Sequence, residues 1–146
     1  MATVDIIVGT VYGSAMSAAE SLEEALMAAG HEVVLHEEAA LADLNPEHFW
    51  LVVTSTTGQG ELPADILPLF SELRDNSGPL PQLRYAIAAL GDSSYEHYCG
   101  GGQLFNDLLQ ELQATAVTEM LTIDASETLD PEEPAVKWLQ EFIAKI

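Results

Sequence analysis

The chain has 146 residues, 48% of them apolar, enough for one domain with a proper core. Its formal charge is −20, with 24 Asp and Glu set against Arg74, Arg84, Lys137 and Lys145; such a surface repels nucleic acid and anionic membranes and draws basic proteins, although acidity alone fits simple solubility as well. No apolar run approaches the ~18–20 residues that cross a bilayer, no signal-peptide pattern opens the chain, and the single Cys99 has no partner for an internal disulfide, all of which point to a reducing cytoplasm.

The β-branched run Val4 to Val8 reads as a strand buried on both faces. It breaks at Gly9, passes a turn containing hydroxyls and glycine, and enters a helical pattern near Ser14. A strand–turn–helix of this kind aims the first free N–H groups of the helix at the turn and makes an anion site from backbone alone. Thr10, Tyr12 and Ser14 add hydroxyls, and no Lys or Arg lies in the stretch. Taken alone, it fits an ordinary βα turn capped by Ser14 equally well.

Helical spacing of Ala18, Leu22, Ala25, Leu26 and Ala29 predicts a helix over Ser17–Ala29, with Glu20, Glu23 and Glu24 on the wet face and Gly30 as its C-cap. Val33–Leu35 reads as a short strand at or near a sheet edge, and 37–47 carries no firm assignment. Phe49–Thr54 is a second buried strand, running into the hydroxyl- and glycine-rich loop Ser55–Pro63. A helix is predicted over Ala64–Arg74 and a turn over Asn76–Pro81. Tyr85–Leu90 is a third central strand and ends in Gly91-Asp92-Ser93-Ser94-Tyr95-Glu96-His97-Tyr98-Cys99-Gly100. The following helix, Gly102–Gln113, carries Leu104, Phe105, Leu108, Leu109 and Leu112 on one face. Met120–Ile123 reads as the last strand, and Asp130-Pro131 opens the last helix as N-cap and N1, with Trp138, Leu139, Phe142 and Ile143 as its packing face. With no repeat and no linker, residues 1–146 form a single domain.

Five strands alternating with helices imply an α/β fold, a doubly wound parallel sheet with right-handed crossovers and helices on both faces. In such sheets ligands bind beyond the carboxyl ends of the strands, at the switch point in strand order. The loops after strands one, three and four all leave from that edge, which argues for one shared binding site.

Together the three loops resemble those of the flavodoxins, small FMN-binding electron carriers, and the similarity runs over nearly the whole chain. The run Gly91–Gly100 is the long and specific match; Ser55-Thr56-Thr57-Gly58 and the turn after strand one are shorter ones. Chain length and an uninterrupted last strand are similar to the short-chain branch, while Thr56-Thr57-Gly58-Gln59-Gly60-Glu61 is also similar to the flavodoxin-like domains of diflavin reductases. The resemblance implies a five-stranded sheet ordered 2-1-3-4-5 with FMN held non-covalently at its carboxyl edge. Thr10, Val11, Tyr12, Gly13, Ser14 and Ala15 would surround the phosphate through N–H groups and hydroxyls, Ala15 standing where the family commonly has Thr or Ser. Ser55, Thr56, Thr57 and Gly58 would flank one side of the flavin, and Leu90, Gly91, Asp92, Ser93, Ser94, Tyr95, Glu96, His97, Tyr98 and Cys99 the other. Tyr95 matches the aromatic that stacks on the ring, whereas Thr57 stands where many members place a second one. Gly58 matches the residue after which the peptide turns when the flavin gains its first electron. Tyr98 is read as packing more than stacking and Cys99 as a buried thiol without a redox role; His97 faces solvent, or tunes the flavin or a partner contact, and Asp124 either approaches the ring or caps its own loop.

The function implied is a monomeric one-electron carrier, not an enzyme with its own substrate, passing low-potential electrons from a basic NAD(P)H-dependent flavodoxin reductase to acceptor enzymes, with no nucleic acid, membrane or metal involved. An FMN-dependent reductase of a small substrate is one alternative. A non-catalytic binding module is another, but a receiver would need acidic residues where this chain has Gly9-Thr10 and Thr54-Ser55, and a Lys near Ile123-Asp124. A P-loop nucleotidase would need a Gly-x-x-x-x-Gly-Lys motif, which the chain lacks.

Overall fold

A computed structural model describes every residue except Met1, Tyr12, Gly58, Gln59, Glu96, His97 and Leu129. The alternating apolar residues of Thr3–Gly9 (β1) point to opposite faces and are buried from Val4 onward. β1 lies between two parallel partners, Glu32–Glu37 (β2) and Phe49–Thr54 (β3), with Ile6 level with Leu35 on one side and Leu51 on the other. Arg84–Gly91 (β4) pairs with β3, Val52 level with Ile87. Beside β4 lie two short pieces, Thr115–Ala116 (β5) at its start and Leu121–Asp124 (β6) at its end. The sheet order is therefore 2-1-3-4-5 as expected, with the fifth position filled twice. The last strand expected over Met120–Ile123 is β6, and β5 is a small additional strand that the sequence reading did not include. Both residues of β5 are exposed, so no apolar alternation marked it.

Strand alternation sorts the core into two layers. Val4, Ile6, Val8, Leu51 and Val53 pack under Ser14–Ala28 (α1) and Glu132–Phe142 (α4). Ile7, Trp50, Val52 and Ile87 pack under Leu67–Asn76 (α2) and Gly100–Glu111 (α3). Each fully buried aliphatic side chain contributes about 1.5–3 kcal/mol. The one buried charged residue among those described, Asp5, sits near the start of β1, where its carboxylate meets His36 Nε2 at 3.0 Å and His48 Nδ1 at 3.1 Å and accepts the Asn45 N–H.

Helix ends differ from the periodicity for local reasons. α1 starts three positions early because Gly13, at φ 92°, turns the chain into it; Ser14 is its first residue and not its cap. Gly30, at φ 91°, ends α1 as expected: its N–H donates to Met27 and the His31 N–H to Leu26, which satisfies the last carbonyls. α2 starts at Leu67, since residues 63–66 form a turn in which Ile66 and Leu67 both donate to the Pro63 carbonyl. α3 starts at Gly100, inside a glycine run that reads as a breaker. Before α4, the Asp130 carboxylate accepts the Glu132 N–H at 2.9 Å, the capping role expected of it.

Candidate functional site

The carboxyl edge of the sheet carries the site because β1, β3, β4 and β6 all end there. At the end of β1 the backbone must pass close to its neighbours. A Cβ on Gly9 would stand 2.6 Å from Thr54 Oγ1 and 2.7 Å from Ile66 Cγ2. Beyond it, the Thr10 N–H donates to both oxygens of the Asp65 carboxylate, each at 3.1 Å, and Gly13 N–H donates to Thr10 Oγ1 at 2.9 Å. Within α1, Ser17 N–H bonds back to Gly13, which leaves the N–H groups of Ser14, Ala15 and Met16 without intrahelical acceptors. Ala15 has its side chain fully buried and offers that N–H with no hydroxyl. A lost neutral hydrogen bond costs ~0.5–1.5 kcal/mol net, which weakens retention of a phosphate without abolishing it.

After β3 the chain makes a narrow hairpin. Thr57 and Glu61 form an antiparallel bridge, each accepting the other's N–H, with Gly60 at φ 89° on the return. The expected pivot, Gly58, lies outside the described residues. The hairpin leans on the first turn of α3. Gly101 N–H donates to Thr56 Oγ1 at 3.1 Å, and a Cβ on Gly100 would stand 2.9 Å from both Cα and O of Gly60. The glycine run is thus a surface for close approach of main chain to main chain.

After β4 the loop is tied to itself and to the segment after β6. Ser94 N–H and Oγ–H both donate to Asp92, and Ser93 N–H donates to Asp124 Oδ1 at 3.0 Å. Ser126 adds its own N–H and hydroxyl to the same Asp124 oxygen. Ser93 and Ser126 hold the Asp124 carboxyl well below the usual carboxylate range. The tie is therefore complete above that range and is lost only as the pH falls through the depressed value. Of the two roles open to Asp124, this is the loop cap. Cys99, at φ 54°, is buried, and burial pushes its thiol up, which favours the protonated form at neutral pH.

Between these loops opens a cleft of about 520 Å³. Val11 and Ser14 line it from the first loop, Ser55, Thr56 and Thr57 from the second, and Leu90, Gly91, Asp92, Tyr95, Tyr98 and Cys99 from the third. Tyr95 is 63% exposed and borders the cleft. Tyr98 borders the cleft too, on the side expected of the third loop. Three expectations are narrowed. Thr10 cannot give a ligand its N–H, which Asp65 already holds, and keeps only its hydroxyl proton. Ser93 and Ser94 spend their hydroxyls on Ser126 and Asp92 and do not border the cleft. Tyr12, Glu96 and His97 lie outside the described residues. Sequence reasoning missed Asp65 and a fourth wall, Ile123, Ala125, Thr128 and Pro131; the signal for that wall was available, because the loop after the last strand leaves from the same edge.

The cleft fits FMN. Free helix N–H groups and the Ser14 hydroxyl suit a phosphate at one end, and a largely apolar lining beside Tyr95 suits the ring at the other. The flavodoxin family model matches residues 6–138. Flavodoxin YqcA of Escherichia coli K12 is 48% identical over 144 residues, 97% of each chain. An alanine-substituted variant of a flavodoxin from Pseudomonas aeruginosa superposes with a TM-score of 0.91 at 43% identity, over 97% of each chain. Oxidised flavodoxin 1 of Bacillus cereus, at 19% identity and a TM-score of 0.83 over 99% of each chain, shares the fold. Loop chemistry, strand order and these likenesses agree: the chain belongs to the flavodoxin family, and its cofactor is FMN.

Proposed function

We propose that the protein is a cytoplasmic, monomeric electron carrier that takes electrons one at a time from a basic NAD(P)H-dependent reductase and delivers them to an acceptor enzyme. The observation that carries this reading is the open rim, where the Tyr95 ring stands exposed beside a cleft reached directly from solvent. FMN, when bound, supplies the one-electron chemistry. The chain would hold it with neutral hydroxyls and N–H groups at the phosphate end, and Tyr95, Leu90 and the second loop would flank the ring. The 24 acidic residues oppose the gain of further negative charge in the cleft and favour basic partners. Among the described residues no helix is long and apolar enough to cross a membrane.

Purified protein is expected to be yellow, or to take up FMN one to one with quenching of flavin fluorescence. Colourless protein that leaves the fluorescence unquenched overturns the reading, and rapid NADPH oxidation by the protein alone replaces it with that of a substrate-reducing enzyme. A second expectation follows from the charge of −20. Electron transfer from a basic flavodoxin reductase slows as salt rises to physiological strength, where the Debye length is about 8 Å. Stopped-flow rates that stay flat over that range remove electrostatic docking.

A further inference from the structure

Asp65 is a carboxylate that holds a backbone N–H of the first loop, that of Thr10. It belongs to the turn before α2, 55 positions from Thr10, yet both its oxygens lie 3.1 Å from the Thr10 nitrogen. Its position is fixed by packing. The neighbouring Ile66 is buried at 1% exposure, and only the missing side chain of Gly9 lets it come so close to β1. The contact is therefore built into the fold and does not depend on a wandering surface side chain. Thr10 is next to Val11, which borders the cleft, and its hydroxyl binds Gly13 N–H at the entrance to α1. No Lys or Arg stands in the first loop to offset the charge.

We infer that Asp65 is a specificity-determining residue of the phosphate end of the cleft: an anion carried by the chain itself, which keeps the loop ordered before the cofactor arrives and opposes the phosphate once it is bound. The first half follows from the bond, since an N–H held by a carboxylate is among the stronger hydrogen bonds of a loop. The second follows from Coulomb's law: Asp65 bonds the backbone one residue before Val11 on the cleft wall, so a phosphate held by that loop meets a like charge, weakened but not cancelled by solvent at a half-buried site. The protein thereby limits how tightly it holds a phosphate-bearing flavin and leaves the ring contacts untouched. This rests on the assignment of FMN to the cleft.

The test compares FMN with riboflavin, which has the ring but no phosphate. Apo-protein is titrated with each flavin by fluorescence quenching in wild type, Asp65→Asn and Asp65→Ala. Asn keeps an oxygen to accept the Thr10 N–H and removes the charge. FMN affinity is expected to rise about threefold to tenfold, riboflavin affinity to stay within about twofold, and the gain to shrink in high salt. Ala removes charge and acceptor together; the ratio of FMN to riboflavin affinity rises again, while the apo-protein melts at a lower temperature. An affinity ratio that is unchanged or reduced in both variants overturns the inference. Riboflavin and FMN affinities that move in parallel also overturn it, because they assign Asp65 a structural role only. Wild-type protein that binds neither flavin defeats the FMN assignment and this inference with it, and is distinguished from the other results by the wild-type titration alone.

Discussion

Gly102→Ala is expected to destabilise the protein by about 2 kcal/mol and to weaken FMN binding with it. The third residue of α3 faces β4, and a Cβ there would stand 2.4 Å from the Ala89 methyl and 3.1 Å from Met120 Sδ. Carbon atoms in contact prefer ~3.5–4.0 Å, so the helix or the strand must move by more than 1 Å. Ala89 belongs to a central strand paired on both sides, and α3 is held by the fully buried Phe105 and Leu109, so neither yields freely. Overpacking of this kind costs ~1–3 kcal/mol or more, and the better helix propensity of Ala offsets up to ~1 kcal/mol. The displacement is felt at the cleft because the same helical turn carries the Gly101 contact to Thr56 and the Gly100 contact to Gly60. Thermal unfolding with and without FMN measures both effects. A melting temperature within a degree of wild type would show that the helix accommodates the methyl.

Tyr95→Ala is expected to separate binding from folding. At 63% exposure the ring contributes little to the core, so the apo-protein should melt as wild type does. Against a flavin, covering on the order of 60 Å² of the ring contributes about 1.5 kcal/mol at ~25 cal/mol per Å². Aromatic geometry adds ~0.5–1.5 kcal/mol. The sum, ~2–3 kcal/mol, corresponds to roughly a 30-fold to 150-fold loss of FMN affinity, and riboflavin should suffer the same factor because the loss concerns the ring. Fluorescence titration of both flavins reads it. An affinity within threefold of wild type would mean that Tyr95 is not the platform.

What was legible in the sequence was whatever shows as a run. Phe49–Thr54 has the boundaries its apolar residues dictate, and Gly91–Gly100 announced its loop by a long specific pattern. Thr115–Ala116 was not legible, because two exposed residues at a sheet edge bury nothing that a hydropathy pattern could record. Gly100–Gly102 was read as a helix boundary. The reason for three glycines is the proximity of Gly60 and Ala89, segments that only the folded chain brings near. Asp65 was invisible for the same reason: its partner is a backbone N–H, and a backbone N–H has no letter in the sequence.

The loops around the cleft are joined in series. The first is tied to the turn before α2 through Asp65, the second to α3 through Thr56 and Gly101, and the third to the segment after β6 through Ser93 and Asp124. Each tie is a hydrogen bond near solvent, so each can open at a free energy well below that of global unfolding. FMN spanning the cleft would make their openings mutually dependent, and at a hundred times its dissociation constant would add ~2.7 kcal/mol to the folded form. Proteases and quality-control machinery act on such transient openings. The apo-protein is therefore expected to be cut faster than the FMN-bound protein.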